Sequence, residues 1–129
     1  MPAPWTGGHD ARLFVAKLNE INDAQAARLK AASRRQIPAL LRLHQAFQSF
    51  VEAIEAVSTS AYPLNILKPV PPGGPGGAAN IYLLRVPPWR AYYYADPISR
   101  VYVGLLVCPD NASMEEIGRL IGEALERNT

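Results

Sequence analysis

Apolar residues recur with helical spacing in the first half of the chain. Across residues 38–57 they return every three or four positions, which is typical of one face of an α-helix. Pro38 fits the first turn of such a helix. Upstream, the alanine-rich stretch 24–34 follows Asn22, with Gln25 three residues later in a capping-box pattern. The sequence therefore predicts a two-helix hairpin interrupted near residues 35–37. The apolar positions of its second helix are Leu40, Leu41, Leu43, Phe47, Phe50, Val51, Ile54 and Val57.

After residue 80 the apolar period changes to two, which is typical of β-strands. Three strands are predicted, at Ile81–Val86, Trp89–Ala95 and Arg100–Cys108. The turns between them are so short that neighbouring strands must be antiparallel, giving a meander. Residues 110–113 then provide polar caps for a last helix. Its apolar stripe is Ile117, Leu120, Ile121 and Leu125.

The N-terminal region has a weaker pattern. Residues 1–10 read as an irregular lead-in, and Arg12–Leu18 is predicted as a strand, with a first helical turn as the alternative. The element order predicts an α+β fold: N-terminal strand, two-helix hairpin, three-stranded antiparallel meander and C-terminal helix. In this arrangement the helices cover one face of the sheet, and the opposite face is exposed.

Composition supports a single domain over residues 1–129. The chain has 129 residues, 49% of them hydrophobic and 19% charged, which suits one domain around one core. Proline occurs 12 times and glycine 9 times, and the two bunch together at Pro71–Gly77. We predict that residues 71–80 form an exposed loop inside this domain, since such a run cannot form a helix or an inner strand.

Charge is unevenly distributed, although the net charge is only +2. Residues 1–51 carry seven basic and three acidic side chains, whereas residues 110–129 carry two basic and five acidic ones. An anionic partner and ordinary solvated helix faces both remain open. The single cysteine, Cys108, excludes an intramolecular disulfide and is expected to be a structural thiol. With no apolar run of about 20 residues and no signal-peptide pattern, we expect a cytoplasmic protein without a membrane partner.

One face of the predicted meander concentrates the polar chemistry. Strand alternation places Arg85, Arg90, Tyr92 and Tyr94 on the same face, which is the exposed one if the opposite face covers the helices. Guanidinium groups pair with phosphate and tyrosine rings stack on bases, so the set suits nucleic acid. A solvated sheet face is the alternative. The chain has no phosphate-binding loop motif and no Cys/His ligand spacing, so neither a cofactor nor a metal is expected.

The same region resembles the RelE/ParE superfamily, the toxins of bacterial type II toxin–antitoxin modules and their phage-encoded relatives. That family's pattern is a leucine and lysine, then tyrosine–x–leucine–arginine, a hairpin, arginine–x–x–tyrosine, an acidic turn and an apolar strand. The matching positions are Leu67-Lys68, Tyr82-x-Leu84-Arg85, Arg90-x-x-Tyr93, Asp96 and Val101–Val107.

The resemblance implies two activities for the chain. RelE-like members cleave messenger RNA on the ribosome, and ParE-like members inhibit DNA gyrase. The expected partners are a cognate antitoxin protein and either the ribosome with its mRNA or gyrase. Arg90 and Arg85 would be the catalytic, phosphate-contacting residues. Lys68, Tyr92 and Tyr94 would bind RNA or the target.

Two departures leave enzymatic activity open. Cleaving members carry a histidine, arginine or tyrosine at or after the last strand, where this chain has Cys108-Pro109-Asp110-Asn111. The hairpin turn is Pro87-Pro88, where the family has glycine or a polar residue. An alternative is therefore a catalytically inactive protein-interaction module, including a phage-encoded one, on the same scaffold.

Overall fold

The computed structural model describes residues 4–71 and 79–128. The described residues form three α-helices and five β-strands, together with a π-helical turn and a 3-10 turn. The helices are α1 (Ala16–Ala31), α2 (Ile37–Thr59) and α3 (Met114–Arg127). The strands are β1 (Thr6–His9), β2 (Lys68–Pro69), β3 (Ile81–Val86), β4 (Trp89–Asp96) and β5 (Val101–Pro109). The π-helical turn is Ala11–Val15, and the 3-10 turn is Pro63–Asn65.

The strands form one mixed sheet in the order β1-β5-β4-β3-β2. The predicted strands β3, β4 and β5 pair antiparallel in sequence, joined by the Pro87-Pro88 turn, whose peptide bond is cis, and by residues 97–100. The sheet is larger than the predicted meander, since β2 adds to the edge of β3 and β1 lies parallel to β5. The α+β class is thus observed with a different, five-stranded arrangement.

The predicted N-terminal strand is wrong in position. Residues 12–18, expected to be extended, form helical turns leading into α1, and the strand lies within the expected irregular lead-in. The Asp10 carboxylate causes this boundary, because it accepts the backbone N–H groups of Arg12 (2.9 Å) and Leu13 (2.7 Å) and so starts a helix. The helical alternative is therefore the correct one for Arg12–Leu18. The helix α1 begins at Ala16, upstream of the predicted start at residue 24, and it ends at Ala31, before the predicted end at residue 34.

The helices cover both faces of the sheet, which corrects the prediction of one covered face. α1 and α2 pack against one face through a core centred on Phe50, Trp89 and Tyr93. α3 packs on the other face through Ile117 and Ile121. The middle strand β4 is buried on both sides, since each of its faces meets helical side chains. The other residues that line the α3 side of the core include Ile81, Tyr92, Leu105, Leu106, Cys108 and Ala124.

Aromatic packing fixes α2 on the sheet as its periodicity predicts. Phe50 stacks on Trp89 with ring centroids 6.1 Å apart, and Phe47 meets the same indole edge-on at 5.3 Å. Both phenylalanines are buried on the α2 face that also carries Ile54 and Val57. This packing places Trp89, at the start of β4, beside the helical hairpin.

The predicted Pro/Gly loop lies largely outside the described residues, which resume at residue 79. Its described ends meet the sheet at neighbouring points, because the Val70 N–H donates to the carbonyl of Ile81 at 2.8 Å. Among residues 4–71 and 79–128, no helix combines the length and the apolar character needed to cross a bilayer.

Close packing of β1 on β5 gives a stability prediction. The buried ring of Tyr102 lies over its register partner Gly7, so a Cβ at residue 7 would overlap that ring. We expect Gly7→Ala to lower the free energy of unfolding by roughly 1–3 kcal/mol, the usual penalty for overpacking. A Cβ at Gly8 meets nothing within 4 Å, so Gly8→Ala is the matched control. Urea unfolding that finds the two variants equally stable would contradict this packing.

Candidate functional site

Two arginines and one aspartate form a charged cluster on the sheet. Arg85 donates hydrogen bonds to Asp110 from two nitrogens: Nε lies 3.1 Å from Oδ1, and Nη2 lies 2.9 Å from Oδ2. Arg90 donates from Nε to the same Oδ1 at 2.8 Å. Both guanidinium groups therefore converge on one carboxylate. We call Arg85, Arg90 and Asp110 the arginine cluster.

The sheet register brings these three residues together. Arg85 of β3 is paired directly with Arg90 of β4, and Arg90 is paired with Cys108 of β5. Asp110 lies two residues beyond Cys108, and its N–H donates to the carbonyl of Pro88 at 2.8 Å. Alternation then directs its side chain to the face that carries both arginines. The carboxylate offsets the repulsion that two like charges opposite one another would otherwise produce.

The charges of the arginine cluster reinforce one another. The hydrogen bond from Arg85 holds the pKa of Asp110 below its ordinary value; partial burial opposes this, and Arg90 adds to the lowering. Hydrogen bonds to Tyr92 and to Asp110 raise the pKa of Arg90. All three groups are therefore ionised at neutral pH, and the cluster carries one net positive charge.

Lys68 lies on the same face of the sheet, one strand further out. It pairs with Leu83 of β3, two residues from Arg85, and cross-strand partners share a face. Its side chain is exposed. The structure thus places Lys68, Arg85 and Arg90 on one face across three strands; strand alternation predicts this shared face for the two arginines, whereas the position of Lys68 on it comes from the structure alone.

The two tyrosines depart from the prediction of an exposed face. Tyr92 shares the face of Arg90, but α3 packs over it and leaves it 1% exposed. Its hydroxyl accepts a hydrogen bond from Nη1 of Arg90 at 3.4 Å. Tyr92 can therefore orient Arg90 but cannot stack on a base in this conformation. Tyr94 is half-buried and packs against the same core.

Cys108 is a buried thiol whose surroundings do not activate it. Burial raises the pKa of Cys108 to about 11, and it outweighs the opposing effect of nearby Arg90. A thiol with such a pKa stays protonated at neutral pH and is a poor nucleophile. The expectation of a structural thiol agrees with this environment.

A second ionic cluster, which the sequence did not reveal, joins the two ends of the described chain. Asp10 is 3% exposed and accepts hydrogen bonds from Nε and Nη2 of Arg127, each at 3.1 Å. Asn128 donates to the same carboxylate from Nδ2 at 2.9 Å. Burial raises the pKa of Asp10, but the hydrogen bonds from Arg127, Asn128 and the amides of Arg12 and Leu13 outweigh it and lower the pKa to about 2.

Fold and cluster together define an α+β protein with a cationic patch at the β3–β4 end of its sheet. Comparison with protein-family models, with curated proteins and with solved structures finds no match to this chain. The resemblance to the RelE/ParE superfamily therefore remains a prediction from the sequence.

Proposed function

We propose that the chain is a toxin-like protein of a type II toxin–antitoxin module that acts on translation by binding the phosphate backbone of messenger RNA. The convergence of Arg85 and Arg90 on the Asp110 carboxylate carries this proposal. It means that two guanidinium groups already hold one anionic group between them. Phosphate and carboxylate offer similar oxygen pairs to an arginine fork.

The chemistry proposed for the site is electrostatic. In RNA cleavage the 2′-hydroxyl loses its proton to water and its oxygen bonds to the adjacent phosphorus. The bond from phosphorus to the 5′-oxygen breaks, the leaving oxygen takes a proton from water, and a 2′,3′-cyclic phosphate remains. Negative charge grows on the phosphate oxygens in the transition state. Arg85 and Arg90 would stabilise that charge after exchanging Asp110 for the phosphate. Lys68, on the same face, would contact a neighbouring phosphate. A cognate antitoxin protein would be the partner that neutralises this surface.

The second candidate is a catalytically inactive interaction module on the same scaffold. The ion pairs within the arginine cluster favour it, since Asp110 already neutralises part of the positive charge that a phosphate would need. In the described part of the chain, the side-chain hydrogen bonds of Arg85 and Arg90 go to Asp110 and Tyr92, and neither partner supplies an imidazole. Such a module would bind a protein target, with gyrase as the one that the family resemblance suggests.

Expression of the chain in bacteria without an antitoxin is expected to arrest growth. Arg90→Ala should relieve the arrest, because it removes one of the two guanidinium groups that would hold phosphate. Growth curves and soluble protein levels measure this result, and circular dichroism checks that the variant is folded. The control is Arg42→Ala, which removes an exposed arginine on α2 and should leave the arrest unchanged.

The state of the mRNA recovered from arrested cells distinguishes the toxin that acts on translation from the interaction module. Ribosome-associated mRNA with new cuts supports the toxin that acts on translation. Intact mRNA together with a protein partner recovered by pull-down supports the interaction module. Normal growth at high soluble expression would contradict the proposal, and arrest that persists in Arg90→Ala would exclude the arginine cluster as its site.

A further inference from the structure

Five basic side chains gather where α1 ends and α2 begins. Residues 24–51 contain no aspartate or glutamate, so this stretch carries five positive charges and no negative one. The acidic residues that flank it along the chain are Asp23 and Glu52. We call the cationic end of the helical hairpin the basic tip; its residues are Arg28, Lys30, Arg34, Arg35 and Arg42.

The fold brings the residues of the basic tip close together. Arg28 and Lys30 belong to the last turn of α1, and residues 34–36 form the turn that leads into α2. Arg42 lies in the second turn of α2, one helical turn beyond Ala39 on the same side of the helix. Because Ala39 and Arg28 line one groove between the two helices, Arg42 and Arg28 flank the same junction.

The charges of the basic tip are exposed and unpaired. All five side chains are accessible to solvent. In the described part of the chain, none of them forms an ion pair or a side-chain hydrogen bond. Asp110 lines a groove together with Arg28, but this carboxylate is already paired with Arg85 and Arg90. The basic tip therefore keeps its positive charge available for an anionic partner.

Hydrogen bonds within the turn hold the basic tip in a defined shape. The Ser33 N–H donates to Oε1 of Gln36 at 3.0 Å, and the Gln36 N–H donates to the Ser33 carbonyl at 3.0 Å. The Ile37 N–H adds a bond to the same carbonyl at 3.2 Å. Arg34 and Arg35 are thus carried on an ordered backbone, which lowers the entropy cost of binding a partner.

The side-chain types of the basic tip favour a nucleic acid duplex over other anionic partners. Four of its five cations are arginines, whose guanidinium forks match phosphate. Residues 28–42 include no aromatic side chain, whereas single-strand binders, membrane-surface helices and protein hot spots all use aromatic anchors. The one large apolar side chain that this stretch exposes is Leu41, at 46%. Contact with a phosphate backbone needs neither stacking nor apolar burial.

The compactness of the basic tip favours DNA over double-stranded RNA. Its residues occupy less than about 10 Å of either helix, at a rise of about 1.5 Å per residue. Domains that bind double-stranded RNA extend over about 16 base pairs and contact 2′-hydroxyl groups in two successive minor grooves. Double-stranded DNA presents one phosphate charge per about 1.7 Å of its axis, so a compact cationic surface meets several phosphates at one place.

We propose that the basic tip binds the phosphate backbone of double-stranded DNA without sequence preference. Arg34 and Arg35 lie at the turn and make the central contacts. Arg28 and Lys30 of α1 and Arg42 of α2 flank them. This surface is separate from the arginine cluster on the sheet, so the proposal stands whether or not the chain is a toxin.

Fluorescence anisotropy of the full chain with a short labelled DNA duplex, at a series of salt concentrations, tests the proposal. The logarithm of the association constant should fall with the logarithm of salt concentration by about 0.9 for each phosphate contact. Arg35→Gln should reduce this slope by about 0.9 and weaken binding at low salt about tenfold. Arg34→Gln combined with Arg35→Gln should reduce the slope by about 1.8. Duplexes of unrelated sequence should bind with equal affinity.

The matched control is Arg12→Gln, which also removes one exposed arginine but lies before the opposite end of α1. It should leave the affinity for DNA within about twofold of wild type. Circular dichroism should show every variant folded, since the replaced side chains are exposed.

Competing partners are tested with an RNA duplex of the same sequence and with phosphatidylglycerol vesicles. We expect the RNA duplex to bind no more tightly than the DNA, and the vesicles to bind more weakly than either. The proposal is overturned if the chain does not bind DNA, or if the double variant at residues 34 and 35 binds it as well as wild type. It is equally overturned if Arg12→Gln loses as much affinity as Arg35→Gln, or if RNA or vesicles are preferred to DNA.

Discussion

Replacing Asp10 with alanine is expected to lower the free energy of unfolding by about 3 kcal/mol at neutral pH, the low end for breaking a buried ion pair by removing one partner. The carboxylate is almost completely buried and accepts hydrogen bonds from Arg127, Asn128 and the amides of Arg12 and Leu13. Alanine leaves all of these donors without their acceptor. It also removes the cap that starts the helical turns after β1.

We expect the pH dependence of the free energy of unfolding to show that Asp10 stabilises the fold through its ionised carboxylate. The folded-state pKa of Asp10 is about 2, below its ordinary value of 3.8. The unfolded chain therefore binds this proton more readily, and the ionised group contributes stability above about pH 4. That contribution, about 2 kcal/mol, is lost as the pH falls through 2. The difference between wild type and Asp10→Asn should shrink accordingly between pH 4 and pH 2.

Urea unfolding of both variants at a series of pH values measures this effect. Asp23→Asn, which changes an exposed carboxylate on α1, is the control and should change stability by less than about 0.5 kcal/mol. A difference between wild type and Asp10→Asn that stays constant down to pH 2 would mean that shape, and not charge, explains the loss.

Apolar periodicity predicted the elements whose burial depends on a repeating pattern. α2 and the three strands β3, β4 and β5 are confirmed to within a few residues, because each presents a regular apolar face to the core. The strand β1, Thr-Gly-Gly-His, has no such pattern. It forms because its backbone pairs with β5 and because Tyr102 requires the space left by Gly7. Sequence periodicity cannot report a strand that is fixed by its neighbour.

The sequence predicted only part of the candidate site, because contacts from distant segments leave no periodic pattern in it. Alternation along β4 correctly placed Arg90 and Tyr92 on one face, but nothing local indicated that α3 would cover Tyr92. The sequence predicts Asp110 only as a polar residue before the last helix, and it does not predict that Asp110 is the partner of both arginines. The available signal was its position two residues after Cys108, which continues the alternation of β5 onto the arginine face.

Asp110→Asn is expected to strengthen RNA binding about tenfold, which makes it the most direct test of the arginine cluster. Asp110 holds both guanidinium groups, so in the proposed function RNA phosphate would compete with a carboxylate that is already in place. Asparagine keeps the shape and a hydrogen-bonding oxygen but removes the charge. A guanidinium released to phosphate gains a charge-assisted hydrogen bond of about 1.5–3 kcal/mol, and about 1.4 kcal/mol corresponds to a tenfold change.

Fluorescence anisotropy with a short labelled single-stranded RNA measures the affinity. The salt dependence should steepen in Asp110→Asn, by a slope of about 0.7 for each additional phosphate contact. Asp23→Asn gives the same change in net charge at an exposed site on α1, and its affinity should stay within about twofold of wild type. Adding Arg90→Ala to Asp110→Asn should abolish the gain.

The opposite result has an equally definite meaning. If Asp110→Asn binds RNA more weakly than wild type, then Asp110 positions the arginines for binding and does not compete with phosphate. If the affinity is unchanged and Arg90→Ala also has no effect, the cluster is a structural ion pair that joins the β3–β4 turn to the end of β5. Only a gain that depends on Arg90 supports a phosphate site held closed by Asp110.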